Sequence, residues 1–93
     1  MLKEVTKVWG REEWLVNTDL YCAKYLHITK GAQCSLHMHV IKDETFYLIS
    51  GRVEIEIDSG GGSVFYSLPQ PLESIRIEPK EYHRFKALEN SIL

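Results

Sequence analysis

Cysteine is scarce in this chain: Cys22 and Cys34 are the only two in 93 residues. Two thiols cannot build the disulfide framework of a small secreted scaffold, and they fit reduced side chains in a reducing compartment. Positive charge is not in surplus either. Lys and Arg number 11 against 13 Asp and Glu, a formal net charge of -2, whereas a duplex-binding surface needs a basic excess. No apolar run approaches the roughly 20 residues that cross a bilayer. The opening Met1-Leu2-Lys3-Glu4-Val5 lacks the apolar core of a signal peptide. The expectation is a cytoplasmic protein with no nucleic-acid and no membrane partner. What is present is an ordinary globular composition, 44% hydrophobic and 26% charged, which excludes a disordered tail. The length suits one small domain spanning 1–93.

Helical periodicity is also missing, since no window sustains apolar residues at spacings of three and four. Alternation with period two recurs instead. Val53, Ile55 and Ile57 alternate with Glu54, Glu56 and Asp58, Ile75 and Ile77 with Ser74, Arg76 and Glu78, and Lys24, Leu26 and Ile28 with Tyr25, His27 and Thr29. One apolar face per strand means strands half-buried on a common core. The pattern predicts strands near 5–8, 12–17, 20–29, 34–39, 44–50, 52–58, 63–68, 73–78 and 83–88. Turn residues separate them, among them Lys30-Gly31, Gly51, the Ser59-Gly60-Gly61-Gly62-Ser63 run and Pro69-Gln70-Pro71. Gly31 and Gly51 read as tight-turn residues that accept a positive φ. Many short, evenly spaced strands indicate an all-β jelly roll.

Three of the four histidines carry the chemistry. His37 and His39 are two apart, so on a strand both imidazoles share a face. Glu44 opens the next apolar strand and His83 the last one. Imidazoles from two distant strands and a carboxylate from a third could converge only inside a β cup. There they would form a three-nitrogen, one-oxygen site with open positions for a divalent metal. Zn, Mn, Fe, Ni and Co all suit that donor set.

The spacing Gly31-x5-His37-x-His39-x4-Glu44-x6-Gly51 resembles the first signature motif of the cupin family. A second, looser match is Glu78-Pro79-Lys80-Glu81-Tyr82-His83, with His83 at the ligand position. Here Glu78 stands at the usual proline, Lys80 at the usual glycine and Ala87 at the usual late asparagine. Trp9-Gly10, Lys24, the His37-Met38-His39 run and His83-Arg84-Phe85 narrow the likeness, which runs from Trp9 to about Leu88. Together they are similar to the cupin domain of type II mannose-6-phosphate isomerases, which often carry Gln where His37 stands. The resemblance implies a cupin-type jelly-roll β-barrel (a double-stranded β-helix). It also implies a metal held by His37, His39, Glu44 and His83, and a sugar or sugar-phosphate substrate. Relatives continue with an acidic β segment, so a longer C-terminus or a partner subunit is expected to supply one beyond Leu93.

On this reading the metal polarises a carbonyl and a base moves a proton between adjacent carbons, an aldose–ketose isomerisation. Lys24 shares parity with Leu26 and Ile28 and is the candidate catalytic side chain. Its alternatives are a contact to a substrate anion or pairing with a carboxylate. Glu81 is a weaker candidate base. With Fe(II) the same ligands would suit a dioxygenase, and without turnover the chain would be a small-ligand or carbohydrate-binding module. His27, of opposite parity, is expected to face outward, as are Arg84, Glu54 and Glu56. Cys34 is out of phase with the ligands. Trp9 and Trp14 serve as packing or as a sugar platform. A homodimer is expected to cover Tyr21, Tyr25, Tyr47 and Trp14.

Overall fold

The computed structural model describes residues 2–71 and 73–93, and among them there is no α-helix and no segment able to cross a membrane as one. Nine strands follow in order: β1 (Lys3–Lys7), β2 (Gly10–Asn17), β3 (Cys22–Ile28), β4 (Glu44–Tyr47), β5 (Val53–Asp58), β6 (Ser63–Leu68), β7 (Ser74–Ile77), β8 (Tyr82–Ala87) and β9 (Ser91–Ile92). They pair antiparallel as β1-β2-β3-β9, β4-β7 and β6-β5-β8. Ser50 bridges Ile92, which links the end of the β4 segment to β9. The result is the expected all-β sandwich. The ladders do not run round into the expected closed barrel: among the described residues β6 and β7 follow one another without pairing.

Alternation in the sequence becomes layering in the core. The register sets Val53 opposite Ala87, Ile55 opposite Phe85 and Ile57 opposite His83. The inward row of β8 is therefore Ala87, Phe85, His83, all buried. On β4 the inward row is Leu48, Phe46, Glu44, with Phe46 and Leu48 packed on the core. Ile28, Leu68, Ile75, Ile77 and Leu93 complete that core. Each fully buried aliphatic contributes about 1.5–3 kcal/mol. Two apolar rows thus end, at the same end of the sandwich, in an imidazole and a carboxylate.

Two predicted elements differ. The strand expected at 34–39 is an extended segment along β8, joined to it by isolated bridges from Gln33 to Lys86 and from His37 to His83. Hydrogen bonds from Cys34 N–H to the Phe85 carbonyl and between His37 and His83 in both directions anchor it. The rungs between are missing, so a continuous ladder never forms. β9 was not anticipated: Ser91–Ile92 is too short to show alternation.

Glu56 is also more covered than an outward carboxylate on a solvated face should be, at 8% exposure. Its neighbours explain this. The Ser63 hydroxyl donates to one carboxylate oxygen at 2.6 Å and Arg84 Nε to the other at 2.6 Å. These two contacts, the hydroxyl first, hold the Glu56 carboxyl below its ordinary 4.5. A depressed folded-state pKa contributes stability that is present above the unfolded value and lost as pH falls through the folded one. Glu56→Gln is therefore expected to flatten the acid limb of the stability curve below about pH 4.5. Denaturant midpoints of the two proteins measured between pH 3 and 7 check it. Parallel curves for the variant and the parent would refute it.

Candidate metal centre

The four side chains expected to meet do meet. One ligand atom from each of His37, His39 and His83 lies within 4.8 Å of the others. Ring centroids are 4.3 Å apart for His37 and His83, 5.2 Å for His37 and His39, and 5.6 Å for His39 and His83. Glu44 closes the group, with Oε1 3.1 Å from His39 Nε2 and Oε2 3.4 Å from His83 Nε2. Lys42 Nζ stands 3.6 Å from Glu44 Oε1 on the outer side.

Backbone carbonyls orient two of the rings. His37 Nδ1 donates to the Ser35 carbonyl at 2.7 Å and His83 Nδ1 to the Glu81 carbonyl at 3.1 Å. With Nδ1 occupied, the Nε2 lone pair is left for the centre, the arrangement that ligating histidines use. His83 Nε2 is buried and makes no hydrogen bond. A buried polar atom without a partner costs about 1–3 kcal/mol, and such an atom inside a cluster of three imidazoles and a carboxylate fits a cation. His37, His39 and His83 could hold a metal ion, with the Glu44 carboxylate beside them.

The local electrostatics follow the same geometry. Burial pushes His39 below the ordinary histidine value, helped by Lys42 and the neighbouring imidazoles and opposed by Glu44. Burial also pushes His83 down, but the Glu44 carboxylate and the Glu81 carbonyl outweigh it and its pKa is raised. For Glu44, burial pushes upward and the contacts with His83, His39 and Lys42 outweigh it, so the carboxyl stays below its usual range.

The turn ahead of His83 shows how a motif with lysine at the glycine position is accommodated. Lys80 adopts φ +70°, the left-handed region, and its N–H donates to the His39 carbonyl at 2.7 Å. Glu81 clamps the turn: its carboxylate accepts from Glu78 N–H at 2.7 Å and from the Ser59 hydroxyl at 2.6 Å. Those bonds, the hydroxyl first, lower its pKa. A left-handed residue with a side chain costs about 1–2 kcal/mol, part of which glycine gives back through its freer unfolded chain. Lys80→Gly is therefore expected to stabilise the fold by about 0.5–1 kcal/mol, read as a higher denaturation midpoint. A lower midpoint would show that the lysine side chain contributes more than its backbone strain costs.

Lys24 faces inward as its parity requires, and it meets a carboxylate. Its Nζ is 3.7 Å from Glu12 Oε1 and 4.5 Å over the Trp14 ring. Lys3 Nζ lies 4.6 Å over the same ring, and Trp14 Nε1 donates to Glu12 at 2.9 Å. An ammonium from each neighbouring strand thus occupies the indole expected as a sugar platform. Trp9 instead packs edge-on against Phe85 at 4.9 Å. His27 Nε2 contacts the Glu13 carboxylate on the opposite face of the sheet. Cys34 accepts the Phe85 N–H at 3.3 Å, and burial pushes its thiol up. The carbonyls of Ser35 and Glu81 are the functional groups that side-chain reasoning missed. Each lies two residues before a histidine, and no side-chain identity could have announced it.

No family model and no curated relative matches the chain. Among solved structures it is similar to CapF, whose crystal structure was determined with the inhibitor 3-isopropenyl-tropolone. The TM-score is 0.83 at 20% identity, over 99% of this chain and 28% of that one. The chain thus spans just over a quarter of CapF. The likeness establishes the fold as a cupin-type β-sandwich.

Proposed function

We propose that this chain is a metal-dependent cupin in which His37, His39, His83 and Glu44 hold one divalent ion, and that it isomerises a sugar or sugar phosphate. The observation that carries the metal assignment is the convergence of the three imidazoles, with the buried Nε2 of His83 making no hydrogen bond and a carboxylate oxygen of Glu44 3.4 Å from it. An ion bound there would supply Lewis-acid polarisation of a substrate carbonyl. The chain's own residues do the rest. Ser35 and Glu81 fix the ring orientations through their carbonyls. Glu44 brings one oxygen to each of two imidazoles, so its charge offsets that of the ion. Ile57 stands opposite His83 in the register and is buried.

The isomerase half rests on the motif resemblance and on Lys24. This residue is two positions from Leu26 along the inward row of β3. With Lys3 it places two ammonium groups against the single carboxylate of Glu12, a net positive spot suited to a substrate phosphate. One observation favours a binding module instead. The Lys24 amine is already engaged by Glu12 and Trp14, which is poor placement for a proton-transfer base.

The test is metal content by elemental analysis, followed by sugar-phosphate turnover in metal-loaded and chelator-treated protein. Retained metal with metal-dependent interconversion supports the isomerase. Retained metal with thermal shifts but no turnover selects the binding module, and oxygen uptake with Fe(II) selects a dioxygenase. Protein that takes up no divalent ion overturns the assignment.

A further inference from the structure

β6 is an edge strand built unlike a protected one. It pairs β5 over six consecutive positions without a bulge, from Ser63 opposite Asp58 to Leu68 opposite Val53. Its other edge pairs with no strand among the described residues. Val64 is 52% exposed, Phe65 56% and Tyr66 37%. From Ser59 to Leu72 no residue carries a charge, although a quarter of the chain does. Soluble proteins protect such edges with lysines, internal prolines, bulges or very short strands. β6 has none of these, and its prolines at 69 and 71 lie beyond its end.

We infer that β6 is a dimerisation strand, paired antiparallel with β6 of a second copy about a twofold axis at Phe65. The parity of the strand selects this occupant. Val64 and Tyr66 share the face of Ile57 and Ile55, their partners on β5, while Phe65 lies on the face of Glu56. Directly opposed residues of an antiparallel pair lie on one face, so residues of like parity must meet across the axis. Centred on Phe65, the pairing sets Phe65 against Phe65, Val64 against Tyr66 and Ser63 against Ser67. Every large side chain meets another, serine meets serine, and no charge opposes a charge. The uncharged glycine turn of one copy then lies toward the equally uncharged Pro69-Gln70-Pro71 of the other. The strand itself offers no charge to a partner, and the charged side chains of Arg76, Glu78 and Glu81 stand across the hollow that Val64 and Tyr66 line. The contact extends the β6-β5-β8 sheet across two copies as an isologous interface. Three side chains and one backbone edge per copy make a small interface, so the affinity is expected in the micromolar range.

Sedimentation equilibrium of the intact chain from about 1 to 500 µM is the test. The parent is expected to pass from monomer to dimer within that range. Phe65→Lys, which sets two ammonium groups against each other at the axis, is expected to stay monomeric throughout while keeping its melting temperature and metal content. Mild oxidation of Phe65→Cys is expected to give a covalent dimer, because the introduced thiols face one another. Ser67→Cys, opposed by Ser63, and the parent with its native thiols are expected to give little. A parent that stays monomeric overturns the inference. So does a dimer that survives Phe65→Lys, an assembly that grows past two copies, or cross-linking through Ser67→Cys as ready as through Phe65→Cys.

Discussion

His83→Leu is expected to lower divalent-metal affinity by at least about 100-fold while leaving metal-free stability within about 1 kcal/mol of the parent. The two halves come from one geometry. His83 is 1% exposed and closes the apolar row above Phe85 and Ala87. In the metal-free protein its Nε2 makes no well-formed hydrogen bond and has only the Glu44 carboxylate beside it, at 3.4 Å, so part of the cost of about 1–3 kcal/mol for an unsatisfied buried polar atom remains. Leucine fills a similar volume and removes that cost, against the loss of the bond to the Glu81 carbonyl. Glu44 keeps His39 at 3.1 Å and Lys42 at 3.6 Å, so its charge is not stranded. With metal the balance reverses, because a ligand is lost, and outer-shell partners alone are worth 10- to 100-fold. Calorimetric titration with Zn(II) or Mn(II), beside denaturation in chelator, separates the two quantities. In excess metal the parent gains about 2.7 kcal/mol at 100 times Kd, a gain the variant is expected to lose. Unchanged metal affinity would refute the assignment of His83. A large loss of metal-free stability would show that the imidazole is structural.

That prediction could be framed from the sequence because motif spacing carries real information here. His83 is legible through its match to the second motif, and the register then sets it in one buried row with Phe85 and Ala87. Parity placed Lys24 inward. It left open what Lys24 would meet, and Glu12 and Trp14 were not foreseen, because cross-strand partners depend on register rather than on alternation. The bulge between Trp14 and Val16 shows that register is not constant even within one hairpin. Glu56 differs for a related reason: alternation sends it outward, but Ser63 and Arg84 arrive from the two flanking strands and cover it. Lys80 at the usual glycine position does not by itself disclose the backbone of the turn. The fold imposes φ +70° there, held by the bond to the His39 carbonyl. The segment 34–39 reads as a strand from composition, yet a strand is a matter of consecutive rungs, and those depend on how closely β8 can be followed.

Gly51 is the counterpart to Lys80, a left-handed position where the side chain has no room. Gly51→Ala is expected to destabilise the fold by about 2–5 kcal/mol, centred near 3, from about 1–2 kcal/mol of backbone strain and a further 1–3 kcal/mol of overpacking. Its φ is +93°, and a Cβ there would lie 2.2 Å from Ser91 Oγ, 2.6 Å from the Asn90 carbonyl oxygen and 2.7 Å from Ser91 Cα. Two of those three atoms are backbone, so no rotamer change relieves the clash. Ser91 cannot retreat either. It is buried, its hydroxyl accepts from Arg52 N–H at 3.0 Å, and β9 holds Leu93 in the core through paired bonds with Leu26. Displacing Ser91 therefore loosens the join between β3, the end of the β4 segment and the base of the core. Gly31→Ala is the control. Its φ of +83° is similar, but nothing lies within 4 Å of the added carbon, so it carries the backbone strain alone, about 1–2 kcal/mol. For a domain of this size each kcal/mol moves the midpoint by about 4–8 °C. Thermal unfolding is expected to show Gly51→Ala well below the parent and Gly31→Ala between them. The metal site lies at the opposite end of the rows that Ala87 and Ile28 close. Folded Gly51→Ala should therefore bind the ion with parental affinity at low temperature. Equal losses at the two glycines would mean that Ser91 yields and that β9 is no anchor.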